Sequence, residues 1–164
     1  MSDPQATLYL ICGKIAAGKS TLAHQLAAAP DCVLLSEDKW LSGLYPQEIT
    51  TLEDYVRCSS RLRQLIGPHT RALLQTGLSV VMDFPANTLN NRAWMRDIVE
   101  DTKAANELHF LDLTDEVCKA RLKQRNEDGE HPYQTNEEEF DLVTSYFVAP
   151  TAAEGFTIIT HTAD

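Results

Sequence analysis

Short apolar runs alternate along the chain with longer stretches in which apolar residues recur at helical spacing. Residues 7–12 (T-L-Y-L-I-C) form an apolar run ending at Gly13, the pattern of a strand buried on both faces. The alanine-rich residues 22–29 predict a helix that Pro30 stops. A second buried strand is expected over 32–35, ending at Ser36-Glu37-Asp38. Across 51–76 the residues Leu52, Tyr55, Val56, Leu62, Leu65, Ile66, His69, Leu73 and Leu74 make a helical stripe closed by Gly77, which Gly67-Pro68 is expected to kink or divide.

A third strand over 78–82 carries Asp83 at its carboxyl end. Trp94, Met95, Ile98 and Val99 predict a helix over 90–105, and a fourth strand follows over 108–113. Thr114 is placed to cap a helix over 115–126, after which the polar residues 127–135, with Gly129 and Pro132, read as a mobile loop. Asn136, with Glu139 three residues on, resembles a capping box for a helix reaching Phe147, and 155–160 supply the last strand. Regular alternation of strand and helix predicts an α/β fold: a parallel sheet covered by helices through right-handed crossovers.

A length of 164 residues suits one domain spanning 1–164, and 43% hydrophobic with 23% charged residues is a globular composition. The net charge of −10, with no Lys/Arg run, argues against a long nucleic acid as partner and for a small substrate. Cys12, Cys32, Cys58 and Cys118 have no C-x-x-C spacing, so they are expected as small core residues rather than zinc ligands or disulfides. No apolar run reaches the roughly 20 residues of a membrane helix, and Met1-Ser2-Asp3-Pro4 lacks the basic start of a secretory signal, so a cytoplasmic protein is expected.

The candidate chemistry begins at Gly13-Lys14-Ile15-Ala16-Ala17-Gly18-Lys19-Ser20, a G-x-x-x-x-G-K-S loop between an apolar strand and an alanine-rich helix. In that setting backbone N–H groups converge on phosphates at a helix N-terminus, Lys19 neutralises β and γ oxygens, and the Ser20 hydroxyl reaches Mg²⁺. Residues Gly13 to Ser20, with Thr21 beyond, form the candidate site for ATP. Asp83 is the expected second holder of Mg²⁺.

Glu37 and Asp38 follow the second strand, whose carboxyl end shares a rim with the phosphate loop. A carboxylate there can take the proton of an attacking alcohol; Asp38 is the preferred residue, with Glu37 the alternative and a plain helix cap the bland reading. Arg121 and Arg125, one helical turn apart, are candidates to close over the transferring phosphate as part of a lid over about 121–136. Their alternative is an exposed face paired with Glu116 and Glu127.

With these residues in hand, the chain resembles small P-loop kinases related to zeta toxins, chloramphenicol phosphotransferase and gluconate kinases, including members described generically as AAA family ATPases. The likeness covers most of the chain. It rests on Gly13 to Ser20, Leu34-Leu35-Ser36-Glu37-Asp38, Val81-Met82-Asp83 followed by Asn87, Arg121-x-x-x-Arg125-Asn126, and the tail from His131-Pro132-Tyr133 through Phe140, Phe147 and Glu154-Gly155-Phe156. The resemblance implies a five-stranded sheet in the order 2-3-1-4-5, Asp38 as base on the acceptor hydroxyl, and Arg121 and Arg125 on the transferred phosphate.

Phe84, where motor-type ATPases of this fold usually carry a catalytic glutamate, and the lack of an Asn-Lys-x-Asp motif then favour a kinase over a hydrolytic switch. Asp83-Phe84-Pro85 also resembles the Asp-Gly-Phe-Pro of nucleoside monophosphate kinases, so sugar, antibiotic, nucleoside, nucleotide and polynucleotide acceptors all stay open. The expected activity is ATP- and Mg²⁺-dependent phosphoryl transfer to a small-molecule hydroxyl; a switch or a nucleotide-binding module is the rival. His131 is a candidate to orient the lid, Arg57 and Arg61 to read an anionic acceptor, and Trp40 and Tyr45 to line an acceptor pocket. Each has a plain alternative as a solvated or core residue.

Overall fold

The computed structural model describes residues 5–129 and 135–162. Five parallel strands, β1 (Thr7–Gly13), β2 (Cys32–Ser36), β3 (Ser79–Asp83), β4 (Ala105–Asp112) and β5 (Ile158–Thr162), form one sheet ordered β2-β3-β1-β4-β5. That is the order the resemblance implies. Around it lie α1 (Lys19–Ala27), α2 (Glu37–Leu44), α3 (Leu52–Gln75), α4 (Leu89–Thr102), α5 (Asp115–Asp128) and α6 (Glu137–Thr144).

Side chains alternate across β1. Leu8, Leu10 and Cys12 pack with Leu62, Ile66, Met95 and Ile98 of α3 and α4, while Ile11 turns to the other face with Ala23 and Val81. Burial on both faces is why the central strands read as unbroken apolar runs. Cys12, Cys58 and Cys118 are buried and Cys32 half-buried, all as free thiols, as expected of small packing residues. None of the helices among the described residues is long and apolar enough to cross a membrane.

Several boundaries differ from the sequence expectations for local reasons. The first helix begins inside the phosphate loop at Lys19 and ends at Ala27, where Ala28 and Ala29 donate only to carbonyls three residues back. Ser36, not Asp38, caps α2: its hydroxyl accepts from the Lys39 N–H at 3.3 Å, so Glu37 and Asp38 occupy the first turn. The α3 helix runs unbroken through Gly67-Pro68. Pro68 is exposed, and Gly67 is buried where a side chain would press on Trp94 Nε1 and Arg71 Nη1 at 3.3 and 3.2 Å. A proline costs such a helix one hydrogen bond, and packing against α4 outweighs the loss.

The fourth helix stops at Thr102 rather than 105 because Lys103 takes a left-handed conformation (φ 56°), and pairing of β4 with β1 begins at Ala105. Asn136 caps α6, accepting from Glu139 N–H at 2.8 Å, but the helix ends at Thr144; residues 145 and 146 continue as a turn. The fifth helix runs two residues past 126 to a left-handed Gly129. The last strand starts at Ile158, since Gly155 (φ 88°) closes a 3-10 turn at Ala152–Glu154.

Arg92 is fully buried and ties three segments together. It donates to the Ala86 carbonyl at 2.9 Å, the Val148 carbonyl at 2.8 Å and Glu154 Oε1 at 2.7 Å. Arg92→Ala would leave these acceptors behind in a cavity, so a loss of about 3–5 kcal/mol in urea-unfolding free energy is expected. A change under about 1 kcal/mol would mean that water replaces the guanidinium there.

Candidate nucleotide and phosphoryl-transfer site

Parallel strands bring their carboxyl ends to one rim, so Gly13, Ser36 and Asp83 end side by side; Ser36 and Asp83 are register partners. From Gly13 the chain wraps through the loop into α1, whose N-cap Gly18 lies at φ 100° with no side-chain cap and no acidic residue in the first turn. The N–H groups at that helix start are therefore open to an anion. At Gly13 a Cβ would sit 3.2 Å from the Ala17 and Leu111 Cβ atoms, a tight contact, so the close approach of loop and sheet favours glycine. Asn87 Oδ1 accepts from the Gly13 N–H at 2.9 Å, and the Asn87 carbonyl accepts from Val148 N–H at 2.8 Å, which fixes the loop base to the chain after β3.

The Lys19 ammonium donates to the Gly13 carbonyl at 2.8 Å and the Lys14 carbonyl at 2.9 Å. Burial pushes its pKa down, opposed by the charges of Asp83 and Asp38. Lys14 points away from the loop, bridging Asp115 at 2.7 Å and the Leu113 carbonyl at 3.2 Å. Ser20 Oγ donates to Asp83 Oδ2 at a long 3.4 Å. Burial and the neighbouring Asp38 push the Asp83 carboxyl up, against the pull of Lys19.

A hydroxyl and a carboxylate converging under a second carboxylate form an all-oxygen donor set. That suits Mg²⁺, which needs few protein ligands when phosphates and waters complete its octahedron. The described residues contain no cluster of three or more His, Cys, Asp or Glu that would hold a metal by protein ligands alone.

The two adjacent acids on α2 have different surroundings. Glu37 is buried at 2% exposure; its Oε1 accepts from Tyr55 Oη at 2.5 Å and its Oε2 from Ser59 Oγ at 2.7 Å. Burial raises its pKa despite those two bonds and the nearby Arg63. Asp38 is exposed, lines the cleft, and its charge acts on Lys19, Asp83 and Arg125.

The cleft measures about 1350 Å³ and runs from Lys19 and Ser20 past Asp38 to α3 and α4. Arg121 and Arg125 both line it. Arg121 Nη1 donates to the Ala17 carbonyl at 3.3 Å, and Arg125, half-buried, has its pKa lowered by burial against the pull of Asp38. Neither pairs with Glu116 or Glu127, the alternative their spacing left open, among the described ion pairs. Of the expected loop at 127–135, residues 127 and 128 belong to α5, and 130–134, including His131, lie outside the described residues.

Other sequence candidates sit elsewhere. Arg57 pairs with Asp54 at 3.1 Å on the exposed side of α3, and Arg61 is exposed; neither lines the cleft. Trp40 is exposed outside the cleft and Tyr45 packs against the core. The residues that do line its far end are Tyr55, Ser59 and Arg63 of α3 with Asn91 and Trp94 of α4. Tyr55, Ser59 and Arg63 are four apart and so share one helical stripe, a signal present in the sequence.

A family model described as an AAA domain (AAA_33) matches residues 8–150. The chain belongs to that AAA-domain family. No curated protein matches the sequence. Among solved structures, a candidate kinase from Chloroflexus aurantiacus superposes with a TM-score of 0.78 at 19% identity, covering 98% of this chain and 87% of that one. Kti12 of Chaetomium thermophilum in complex with ADP-AlF3 gives 0.72 at 14% identity, over 96% and 89%. The Mycobacterium tuberculosis APS kinase CysC in complex with AMPPNP and APS gives 0.64 at 20% identity, over 98% and 90%. At these identities the likeness is one of fold, and it agrees with the P-loop kinase group that the motifs resemble.

Proposed function

We propose that this AAA-domain protein is an ATP-dependent kinase that transfers the γ-phosphoryl group to a hydroxyl of a small molecule. The observation that carries this reading is the contrast between the two acids on α2. Glu37 has both oxygens engaged by Tyr55 and Ser59, whereas Asp38 stands exposed in the cleft beside Lys19, Asp83 and Arg125. The nucleotides bound to the Kti12 and APS kinase structures support ATP as donor.

In the proposed step the acceptor hydroxyl loses its proton to the Asp38 carboxylate as its oxygen bonds to the γ-phosphorus. The bond from that phosphorus to the β–γ bridging oxygen breaks, and ADP leaves. Lys19 and the N–H groups of the loop hold the phosphates in line, and Arg121 and Arg125 offset charge on the transferring group. Mg²⁺, held by Ser20 and Asp83, would supply further neutralisation of the β and γ oxygens. Phe84, at 1% exposure and packed against Trp94, offers no carboxylate after Asp83 to activate water, which favours transfer over hydrolysis.

The test is a panel of sugars, sugar acids, nucleosides and antibiotics with γ-labelled ATP, scored for a labelled product. ATP hydrolysis at an unchanged rate with every acceptor would reject the kinase reading. Within the reading, Arg121→Ala and Arg125→Ala should each slow transfer by roughly 10³-fold, because an arginine aimed at a transferring phosphate is worth at least that much. Single-turnover rates check this. Full activity with only a slightly lower melting temperature would return both arginines to the surface.

A further inference from the structure

The far end of the cleft holds a cation that phosphoryl transfer does not use. Arg63 projects from the cleft-lining stripe of α3 that carries Tyr55 and Ser59, with its guanidinium carbon 5.5 Å from the Trp94 ring centroid, whereas the exposed Arg57 and Arg61 do not line the cleft. With the Asn91 amide oriented to satisfy its neighbours, the Asn91 oxygen accepts from both terminal nitrogens of Arg63 at 3.2 Å, and its nitrogen donates to Thr88 Oγ1 at 3.0 Å.

Ring and amide together fix the plane of the guanidinium, yet they leave its charge unanswered. Arg63 pairs with no carboxylate among the described residues, and its Nε has no hydrogen-bond partner there. Glu37, an acid on which the Arg63 charge acts, already accepts from Tyr55 and Ser59.

A planar guanidinium stacked on an aromatic ring is pre-organised for a pair of anionic oxygens, and it loses little freedom on binding them. In a chain of net charge −10, an unpaired arginine inside a cleft is a local exception to the overall field. Tyr55, Ser59, Ser60, Gln64 and Asn90 line the same cleft and add groups that hydrogen-bond hydroxyls. The geometry points to an anionic, hydroxylated acceptor whose carboxylate or phosphate docks on Arg63 while one of its hydroxyls faces Asp38. This rests on the kinase reading above. Arg63 acts here as a specificity residue, in contact with the acceptor and remote from the phosphorus.

The test separates binding from turnover. A Trp40→Phe protein leaves Trp94 as its sole tryptophan, since Trp40 lies outside the cleft. Saturating AMPPNP and Mg²⁺ occupy the phosphate loop, and Trp94 fluorescence is titrated at constant ionic strength with sulfate, D-gluconate and D-glucose 6-phosphate, against D-sorbitol. At least one of the anions should give a saturable change that sorbitol does not. Gluconate against glucose 6-phosphate then tells a carboxylate from a phosphate.

Arg63→Met should raise the half-saturating concentration about 10- to 100-fold, the worth of one charged hydrogen-bonded pair, and Arg63→Lys should recover only part of it. In transfer assays Arg63→Met should raise KM for the acceptor far more than it lowers kcat. No response to any of the three anions, an equal response to sorbitol, or anion binding untouched by Arg63→Met overturns the assignment. Saturable anion binding together with no labelled product from any acceptor would instead reject the kinase reading while the Arg63 site stands.

Discussion

Lys19→Ala is expected to lower phosphoryl transfer by at least about 10³-fold and to weaken ATP binding, while the protein stays folded. Two physical roles disappear together. On the proposed reading, the ammonium now held by the Gly13 and Lys14 carbonyls turns to the β and γ oxygens of ATP, so its removal takes a charge from both the bound and the transition state. The structural cost is smaller. Two carbonyls lose a donor, although that of Lys14 keeps the Ala17 N–H at 3.1 Å, while burial of an ammonium is relieved and alanine is a good residue for the first turn of α1. A fall in melting temperature below about 5 °C follows, readable by calorimetry. Normal transfer by a folded Lys19→Ala protein would sink the assignment of this loop to ATP.

How far the sequence could be read depended on which interactions are local. The phosphate loop and the strand ends are local: an apolar run stopped by Gly13, and another stopped by Asp83, specify both element and rim. Helix α3 is the opposite case, because Gly67-Pro68 signals a break that packing of Gly67 against Trp94, 27 positions away in sequence, overrides. The ends of α4 and β5 depend on single left-handed residues, Lys103 and Gly155, and a lysine gives no sign of that conformation.

Arg57 and Arg61 stand one helical turn apart, but spacing alone does not say which face of α3 meets the cleft, and the face that does carries Arg63. That face is set by contact with Glu37 and Trp94 on other helices. Asp38 and Glu37 were inseparable in sequence for a related reason. Successive residues at a helix start point about 100° apart, and only the neighbouring α3 decides which of them is buried.

Asp38→Asn should separate the chemical step from nucleotide binding. The amide keeps size and shape, so ATP·Mg²⁺ affinity should stay within a few-fold, while single-turnover transfer to the acceptor should drop by about 10²- to 10⁴-fold, the usual contribution of a general base. Asp38 does not cap α2, since Ser36 accepts the Lys39 N–H, so any loss cannot be assigned to a missing cap. Glu37→Gln is the control. Its side chain accepts from two hydroxyls, and a glutamine retains one acceptor oxygen there, so the expected effect is about 1 kcal/mol of stability with transfer lowered only several-fold. If Glu37→Gln abolished transfer while Asp38→Asn did not, the base would be the buried acid, and the Tyr55 and Ser59 hydroxyls would be holding the catalytic group rather than a structural one. Unchanged transfer in Asp38→Asn, measured beside unchanged ATP titration, would remove Asp38 from the mechanism and leave the cleft without an exposed carboxylate on α2 to take the acceptor's proton.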